Sequence, residues 1–225
     1  MKNIFAFVLI LWVPLILSAT IRHVPTLDYP TIQAGIDSAI VGDTILVETG
    51  TYVENINFNG KDITVASQFL FDPDTVHMVT TIIDGDQNGS VVRFENGEDS
   101  TSLFCGFTIQ NGSAEVGGGI FCDGVNPIFK NLVIKNNSGT SDGGGITLLG
   151  SSVSLENVVV KNNTAEVGAG IYCAESDLVL KNVDINNNTS LREGGGIQAH
   201  YSNISIDSCS FTYNEAQEEN GGAFC

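Results

Sequence analysis

One stretch of the sequence has the residue types and spacing of a calcium site. In "DGDQNGSVVRFE", residues 84 to 95, the oxygen ligands would be Asp84, Asp86, Asn88 and Glu95. This is the spacing of an EF-hand loop, whose carboxylate and amide oxygens coordinate calcium. An EF-hand also needs a helix on each side, whereas "VTTII" before the loop and "SVVRF" inside it are typical of strands. The residues therefore predict either a turn that leads into a strand or a non-helical loop that binds calcium weakly.

The charge balance excludes one large class of partner. The chain carries 9 Lys and Arg residues against 26 Asp and Glu residues, a formal net charge of -17. Such a surface repels phosphate backbones, and no cluster of basic residues offsets it. We therefore expect no nucleic-acid partner, whereas cations, neutral or basic surfaces and glycans remain open.

The first residues, 1 to 19, are typical of a secretory signal peptide. Lys2 precedes an apolar run from Ile4 to Leu17, and the small residues Ser18 and Ala19 follow it. The run is shorter than the ~20 apolar residues that span a bilayer. The sequence therefore predicts a secreted protein with no membrane span in the mature chain.

A glycine-rich phrase returns at a nearly constant distance. It reads GGGI from 117 and 143, GAGI from 168, GGGI from 194 and GGAF from 221, so the steps are 26, 25, 26 and 27 residues. A second phrase, such as "NLVIKNN" from Asn131, alternates apolar with polar residues as strands do. The intervening residues are rich in Gly, Asn and Ser, which excludes helical crossovers. The predicted fold is an all-β, right-handed parallel β-helix with coils of ~25 residues, stacked ~4.8 Å apart.

The alternation predicts which side chains face the core. The inward residues are Phe107, Ile109, Leu132, Ile134, Val158, Val160, Val183, Ile185, Cys209 and Phe211. The residues between them, Thr108 and Asp184 included, are expected to face outward. One outward file is the predicted binding surface and consists of Gln110, Lys135, Lys161 and Asn186.

Asparagine recurs where these strands end. One file contains Asn111, Asn136, Asn162 and Asn187, and the next contains Asn137, Asn163, Asn188 and Asn214. Asparagine tolerates the left-handed backbone of a tight bend and hydrogen-bonds to stacked neighbours. These files are therefore predicted to be structural, which also explains most N-x-S/T triplets without glycosylation.

Residues 20 to 43 are predicted to cap the solenoid. Ile32, Ile36, Ala39 and Ile40 share one face of a short amphipathic helix, and Gly42 suits its C-terminal end. The β-helix then occupies 44 to 225. A solenoid needs a cap at each apolar end. The last unit stops within its glycine phrase, so we expect the chain to be a fragment of a longer β-helix.

The five cysteines predict neither a zinc site nor a disulfide. No CxxC or Cys/His spacing occurs. Cys122 and Cys173 occupy equivalent positions two coils apart, which is ~9.6 Å at the strand spacing and beyond the ~7 Å reach of a disulfide. Buried thiols in a core file are the expected arrangement.

Two parts of the sequence resemble known families. "YPTIQAGIDSAIVGDTILVETGTYVENI" is similar to the N-terminal segment of secreted proteins of the pectin lyase-like superfamily. The units of the form apolar-x-x-Asn followed by Gly-Gly-x-apolar, clearest in "FTYNEAQEENGGAF", resemble the repeat of the chlamydial polymorphic outer membrane proteins, which are surface autotransporters. The resemblances cover residues 24 to 225. They imply the β-helix and a secreted, extracellular or outer-membrane location, and leave the function open, since this fold hosts enzymes, adhesins and passengers.

The catalytic motifs of the superfamily's enzymes are not recognisable in this sequence. None of Arg22, Arg93 and Arg192 lies in a pectate lyase motif, and no histidine lies in the Gly-His-Gly phrase of polygalacturonases. The outward strand positions offer one carboxylate, Asp184, where acid and base catalysis would need a pair. We therefore expect an adhesin-like or glycan-contacting scaffold without catalytic activity. The alternatives are a polysaccharide-degrading enzyme with its catalytic coils beyond Cys225 or unrecognised, and a calcium-stabilised structural module.

Overall fold

The computed structural model describes residues 18 to 218 and 221 to 225. In this part of the chain, 51% of the structure is strand, and the stacked coils form a parallel β-solenoid of about 8 turns with few helices. The parallel β-helix predicted from the repeats is therefore confirmed. The signal-peptide prediction falls on residues 1 to 19 and lies almost entirely outside the described residues.

The strands are short, and most coils contribute one to each sheet. In chain order they are β1 (Ile21–Val24), β2 (Thr44–Val47), β3 (Gly50–Val53), β4 (Ile56–Asn57), β5 (Thr64–Ser67), β6 (Thr81–Asp84), β7 (Val92–Phe94), β8 (Leu103–Cys105), β9 (Thr108–Gln110), β10 (Ser113–Val116), β11 (Ile120–Asp123), β12 (Ile128–Lys135), β13 (Ser138–Asp142), β14 (Ile146–Leu149), β15 (Ser152–Lys161), β16 (Thr164–Val167), β17 (Ile171–Ala174), β18 (Asp177–Asn186), β19 (Thr189–Glu193), β20 (Ile197–His200), β21 (Asn203–Asp207), β22 (Ser210–Thr212) and β23 (Glu215–Ala216). The α-helices are α1 (Ile32–Ser38) and α2 (Val76–Thr80), and a 3-10 helix spans Gln68–Leu70.

Within the described residues these strands form three sheets. Sheet A runs β1, β2, β5, β8, β12, β15, β18, β21, and includes β3, β6, β9 and β22 beside that path. Sheet B runs β4, β7, β11, β14, β17, β20, and sheet C runs β10, β13, β16, β19, β23. A complete coil passes from β14 in sheet B through β15 in sheet A and β16 in sheet C to β17, which pairs in parallel with β14.

Left-handed asparagines make two bends in each regular coil. Asn136, Asn162 and Asn187 end the long strands of sheet A with φ angles of 55, 54 and 53°, as the sequence predicted for this file. A second set, which the sequence analysis missed, lies in the middle of those strands: Asn131, Asn157 and Asn182, with φ angles of 54, 56 and 52°. This bend divides sheet A into a first half before it and a second half after it.

The predicted inward residues form the core. Every one of them from Phe107 to Ile185 is at most 1% exposed, and only Cys209 and Phe211 in the last described coil are partly buried. Towards the N-terminus phenylalanines fill the interior, with ring centroids 4.0 Å apart for Phe58 and Phe94. The alternation of the sequence therefore predicted the core correctly.

A column of buried asparagine amides holds the coils in register. Asn137 Nδ2 donates to Asn163 Oδ1 at 3.1 Å, Asn163 Nδ2 to Asn188 Oδ1 at 3.0 Å, and Asn188 Nδ2 to Asn214 Oδ1 at 3.0 Å. Each amide also donates to a backbone carbonyl of an earlier coil, for example Asn163 Nδ2 to Ile134 O at 3.1 Å. The predicted structural role of this file is confirmed.

The glycine phrase marks the corner where sheet C leads into sheet B. At Gly145 a Cβ atom would lie 2.5 Å from the carbonyl oxygen of Gly170 in the next coil. Backbones approach there more closely than a side chain allows, which explains why glycine recurs at this corner.

The predicted cap helix forms, but it ends earlier than expected. Thr31 caps α1 through a hydrogen bond from Ala34 N, and Ile32, Ile36 and Ala39 are buried. The chain leaves the helix at Ala39, whose ψ of 151° is extended, so Gly42 is not the stop; its φ of 87° serves the turn before β2 instead. The predicted cap segment also contains β1, which pairs with β2.

One insertion interrupts the repeat. In the coil that contains β8 and β9, two residues connect these strands. In the preceding coil, residues 68 to 80 make the equivalent connection between β5 and β6, and they include the 3-10 helix and α2. This segment folds across the outer face of sheet A, where Thr108 Oγ1 donates to Met78 O at 2.8 Å. Thr108 faces outward as predicted, but the insertion covers it, leaving 2% exposed.

The cysteines in the described residues are free. Cys122 pairs with Leu148, which pairs with Cys173, so the two thiols lie two coils apart in the core as predicted. Burial raises the pKa of Cys122 well above its usual value and that of Cys173 to about 12. Neither thiol can act as a nucleophile at neutral pH.

Among the described helices, none has the length and apolar character needed to traverse a bilayer.

The amide column predicts a large cost for one substitution. Asn163→Ala should lower the free energy of unfolding by about 3 kcal/mol, because it leaves buried amide and carbonyl groups of three coils without partners. Urea unfolding measures the change.

Thr164→Ala is the matched control in the same coil. Thr164 is exposed, so we expect a change of about 0.5 kcal/mol or less. Equal losses in the two variants would contradict the role given to the column.

The thiol arrangement predicts selective alkylation. In the folded protein at mildly alkaline pH, iodoacetamide should modify the exposed Cys225 and spare Cys122 and Cys173, because burial keeps those two protonated and covered. Peptide mass spectrometry reads the pattern, and unfolding in urea should make all of them reactive. Rapid labelling of Cys122 in the folded protein would show that the core opens there.

Candidate functional site

The predicted binding file is a continuous row on the second half of sheet A. Gln110 pairs with Lys135, Lys135 with Lys161, and Lys161 with Asn186. Equivalent atoms of adjacent strands are ~4.8 Å apart. The structure therefore brings the four residues together, and all four are partly exposed on the outer face.

The two lysines at the centre of the row have no counter-ion in the part of the chain that the structure describes. Neither ammonium group forms a hydrogen bond or ion pair with any residue that the structure describes. Like charges directly opposite each other in a sheet are destabilising. The sheet thus holds two cationic groups side by side although the chain as a whole is strongly acidic.

Lysines on the first half of sheet A differ, because they are neutralised. Lys130 Nζ lies 2.8 Å from Glu156 Oε2, and Lys181 Nζ lies 3.4 Å from Glu156 Oε1. Lysine and glutamate alternate there from coil to coil. The unpaired lysines of the neighbouring half therefore stand out as cations that are available to a ligand.

A carboxylate lies at one end of the row. Asp84 pairs with Gln110 in register, and its Oδ2 accepts hydrogen bonds from Gln110 Nε2 at 2.8 Å and Asn111 Nδ2 at 2.7 Å. Burial alone would raise the pKa of Asp84, but these bonds and one from Asp86 N outweigh it and lower the pKa. Sequence reasoning missed this neighbour because the insertion displaces β6 from the regular period.

The predicted calcium ligands contact different partners. Glu95 accepts hydrogen bonds from Arg93 Nε at 3.0 Å and Nη2 at 2.6 Å, and from Asn57 Nδ2 at 2.9 Å. The bond from Arg93 is the main reason that the pKa of Glu95 is lowered. Asp86 is exposed, with a φ of 48°.

The surroundings of this loop are those of a β-helix. It runs from β6 to β7, so strands stand where an EF-hand has helices. Among residues 18 to 218 and 221 to 225, no three or more His, Cys, Asp or Glu side chains are grouped so that they could hold a metal ion. To bind calcium, Asp84 and Glu95 would have to exchange their present partners.

A groove of about 400 Å³ lies beside the lysine row. The insertion forms one wall through Phe69 and Met78, and the mid-strand asparagines, Asn157 and Asn182 among them, lie along the groove. Asn157 Nδ2 and Asn182 Nδ2 each donate to the amide oxygen of the preceding coil, at 3.1 and 2.8 Å. The groove therefore runs along the solenoid axis.

Asp184 lines the groove and has one unsatisfied oxygen. Its Oδ2 accepts a hydrogen bond from Asn186 Nδ2 at 2.8 Å, whereas its Oδ1 is buried and has no partner among the described residues. The sequence identified Asp184 as an outward carboxylate. It gave no sign of the groove, because Met78 and Asp184 are far apart in the chain and the insertion follows no repeat.

Comparison with known proteins gives no match for this chain among protein-family models, curated proteins or solved structures.

The calcium prediction for residues 84 to 95 has a direct test. If calcium binds there, about 2 mM calcium, enough to fill sites of extracellular modules, should raise the melting temperature above that measured in EDTA. Asp86→Asn should reduce the rise and leave the melting temperature in EDTA nearly unchanged, since the Asp86 carboxylate has no hydrogen bond within the described chain.

Glu115→Gln is the control for that measurement. Glu115 is an exposed acid on sheet C, so this variant should respond to calcium as the wild type does. Identical melting temperatures of the wild type in calcium and in EDTA would contradict the prediction that calcium binds at residues 84 to 95.

Proposed function

We propose that this chain is a secreted or cell-surface scaffold without catalytic activity, adhesin-like in character, that binds acidic glycans along the row Gln110, Lys135, Lys161 and Asn186. The observation that carries the proposal is the pair of adjacent, unpaired lysines on an otherwise acidic chain. A carboxylate placed between the two ammonium groups would remove their mutual repulsion and form charge-assisted hydrogen bonds with both.

The regular spacing of the row supports a polymer rather than a compact anion. Its side chains repeat once per coil along the axis, and a linear acidic glycan also presents its acid groups at regular intervals. The amide groups at the two ends suit sugar hydroxyls: Gln110 Oε1 accepts no hydrogen bond from the described residues, so it is available to one.

The resemblances noted in the sequence support the same proposal. Proteins of the pectin lyase-like superfamily contact polysaccharides, and the chlamydial surface autotransporters are exported as passengers. The parallel β-helix agrees with both families. On this proposal the chain belongs outside the cell, at the bacterial surface or in the medium, with a polysaccharide or a host-cell glycan as its partner.

Reversal of the two charges is the decisive substitution. The double variant Lys135→Glu, Lys161→Glu should bind polygalacturonate at least about tenfold more weakly than the wild type, because each lost charged hydrogen bond is worth about 1.5 kcal/mol or more. Isothermal titration at low ionic strength measures the affinity, and added salt should weaken the wild-type interaction.

Lys181→Glu is the control on the same sheet, with half the charge change of the double variant. Lys181 is exposed and paired with Glu156, so this variant should lose little stability and keep most of its affinity. Equal affinity in the wild type and the double variant would contradict the proposed surface. New reducing ends or unsaturated products after incubation with polygalacturonate would contradict the non-catalytic function and favour a polysaccharide-degrading enzyme.

A further inference from the structure

We infer that the groove beside the lysine row is a separate subsite for an amino sugar, whose ammonium group is bound by Asp184. This inference rests on the proposed glycan-binding function and adds a second chemical group that the ligand must carry. The subsite is formed by the insertion, residues 68 to 80, and by the second half of sheet A.

The buried oxygen of Asp184 is the first reason for the assignment. A carboxylate oxygen that is removed from water without a hydrogen bond costs free energy, so an unsatisfied one in a native structure calls for a partner. Asn186 Nδ2 fixes the carboxylate through Oδ2. The remaining oxygen, Oδ1, therefore has a defined position from which it can accept a hydrogen bond.

The charge of Asp184 itself favours a donor that is positively charged. Its strand neighbours in its own file, Val159 and Ser210, carry no charge, and the nearest cation of the row is Lys161, opposite Asn186 on the adjacent strand. The acidic chain attracts cations to this surface. A carboxylate also binds an ammonium group more strongly than a neutral hydroxyl, because the hydrogen bond is then assisted by charge on both partners. An anionic group would be repelled by Asp184.

The walls of the groove suit the body of a sugar ring. Phe69 and Met78 provide apolar surface on one side, and Asn157 and Asn182 provide amide groups on the other. Ligand sites combine apolar walls with a few oriented polar groups in this way. Met78 meets the sheet at Thr108, three strand spacings or ~14 Å from Asp184, so the amino sugar can lie over Asp184 while a neighbouring sugar of the same glycan packs against the insertion.

One hydrogen bond connects a residue that lines the groove with a residue of the lysine row. Asn186 belongs to the row and donates to Asp184. A glycan that lies along the row can therefore place its acid group on the lysines and a neighbouring amino sugar over Asp184. The repeating ligand would then carry both signs of charge, which fits a surface that presents both.

The subsite can be tested with a probe that carries no acid group. A β-1,4-linked glucosamine tetramer should bind the wild type, and Asp184→Asn should lower its affinity about tenfold or more, the effect of one charge-assisted hydrogen bond. The N-acetylglucosamine tetramer has no ammonium group, so it should bind the wild type weakly. Its affinity for the wild type should be no higher than the affinity of the glucosamine tetramer for Asp184→Asn. Isothermal titration gives these three affinities, and a melting curve shows whether each variant is folded.

Asp177→Asn is the matched control, since Asp177 is exposed, lies on the same strand and borders a different groove. It should change glucosamine binding by less than about twofold. Three outcomes would overturn the inference: no glucosamine binding by the wild type, equal loss in the Asp177 and Asp184 variants, or equal affinity for the two tetramers.

The lysine double variant separates this inference from the proposed function. Lys135→Glu, Lys161→Glu should still bind the glucosamine tetramer, because the subsite lies beside the lysines and does not use them. If polygalacturonate binding fails while glucosamine binding needs Asp184, the acidic-glycan function is wrong and the subsite stands. If polygalacturonate binding needs the lysines while Asp184→Asn binds glucosamine normally, the subsite is wrong and the function stands.

Discussion

The register between coils is the constraint on which the rest of this structure depends. The buried amides of Asn137, Asn163 and Asn188 each bind the amide of the next coil and a backbone carbonyl of an earlier one. Side chains in a strand alternate between two faces, so a slip of one residue would turn every apolar side chain towards water. A slip would also leave the amides unsatisfied in the core. Register is therefore fixed twice, by apolar burial and by buried hydrogen bonds.

Fixed register converts a sequence repeat into rows of side chains. Residues that are one period apart in the chain become neighbours at the strand spacing. On the first half of sheet A this produces alternating charges, with Glu156 between Lys130 and Lys181. On the second half the same geometry brings Lys135 next to Lys161, and neither lysine has a counter-ion among the described residues. The candidate site is thus a direct result of stacking, and no loop has to fold around it.

The groove has the opposite origin, since it arises where the repeat is broken. The insertion covers Thr108 and places Phe69 and Met78 over a surface that would otherwise be an open sheet. A regular β-helix presents a nearly flat face to solvent, and concave sites need an irregular segment that forms a wall. Asp184 lines this groove, and its buried Oδ1 has no hydrogen-bond partner among the described residues. The irregular segment thus adds to the repeating face the concave shape that a specific subsite needs.

Much of the fold could be predicted from the sequence because its causes are local and repeated. The period gave the coils, the alternation gave Leu132 and Ile134 as inward residues, and the recurring Asn163 and Asn188 gave a structural column. The same period predicted that Gln110, Lys135, Lys161 and Asn186 form one row. The mid-strand bend at Asn157 was not foreseen, although the step of three residues between the buried Leu155 and Val158 breaks the alternation there.

The tertiary structure alone decided what the non-repeating residues do. The sequence favoured Gly42 as the end of α1, but the chain turns away at Ala39, where its apolar side chain is buried. The sequence also singled out Asp84 and Glu95 for their spacing, whereas the fold gives each of them other partners. That Met78 and Asp184 line the same groove depends on how residues 68 to 80 pack on a sheet made by later coils. A periodic sequence determines which equivalent residues of adjacent coils contact each other. Contacts between residues that are not equivalent in the repeat depend on how the whole chain folds, so they cannot be derived from the period.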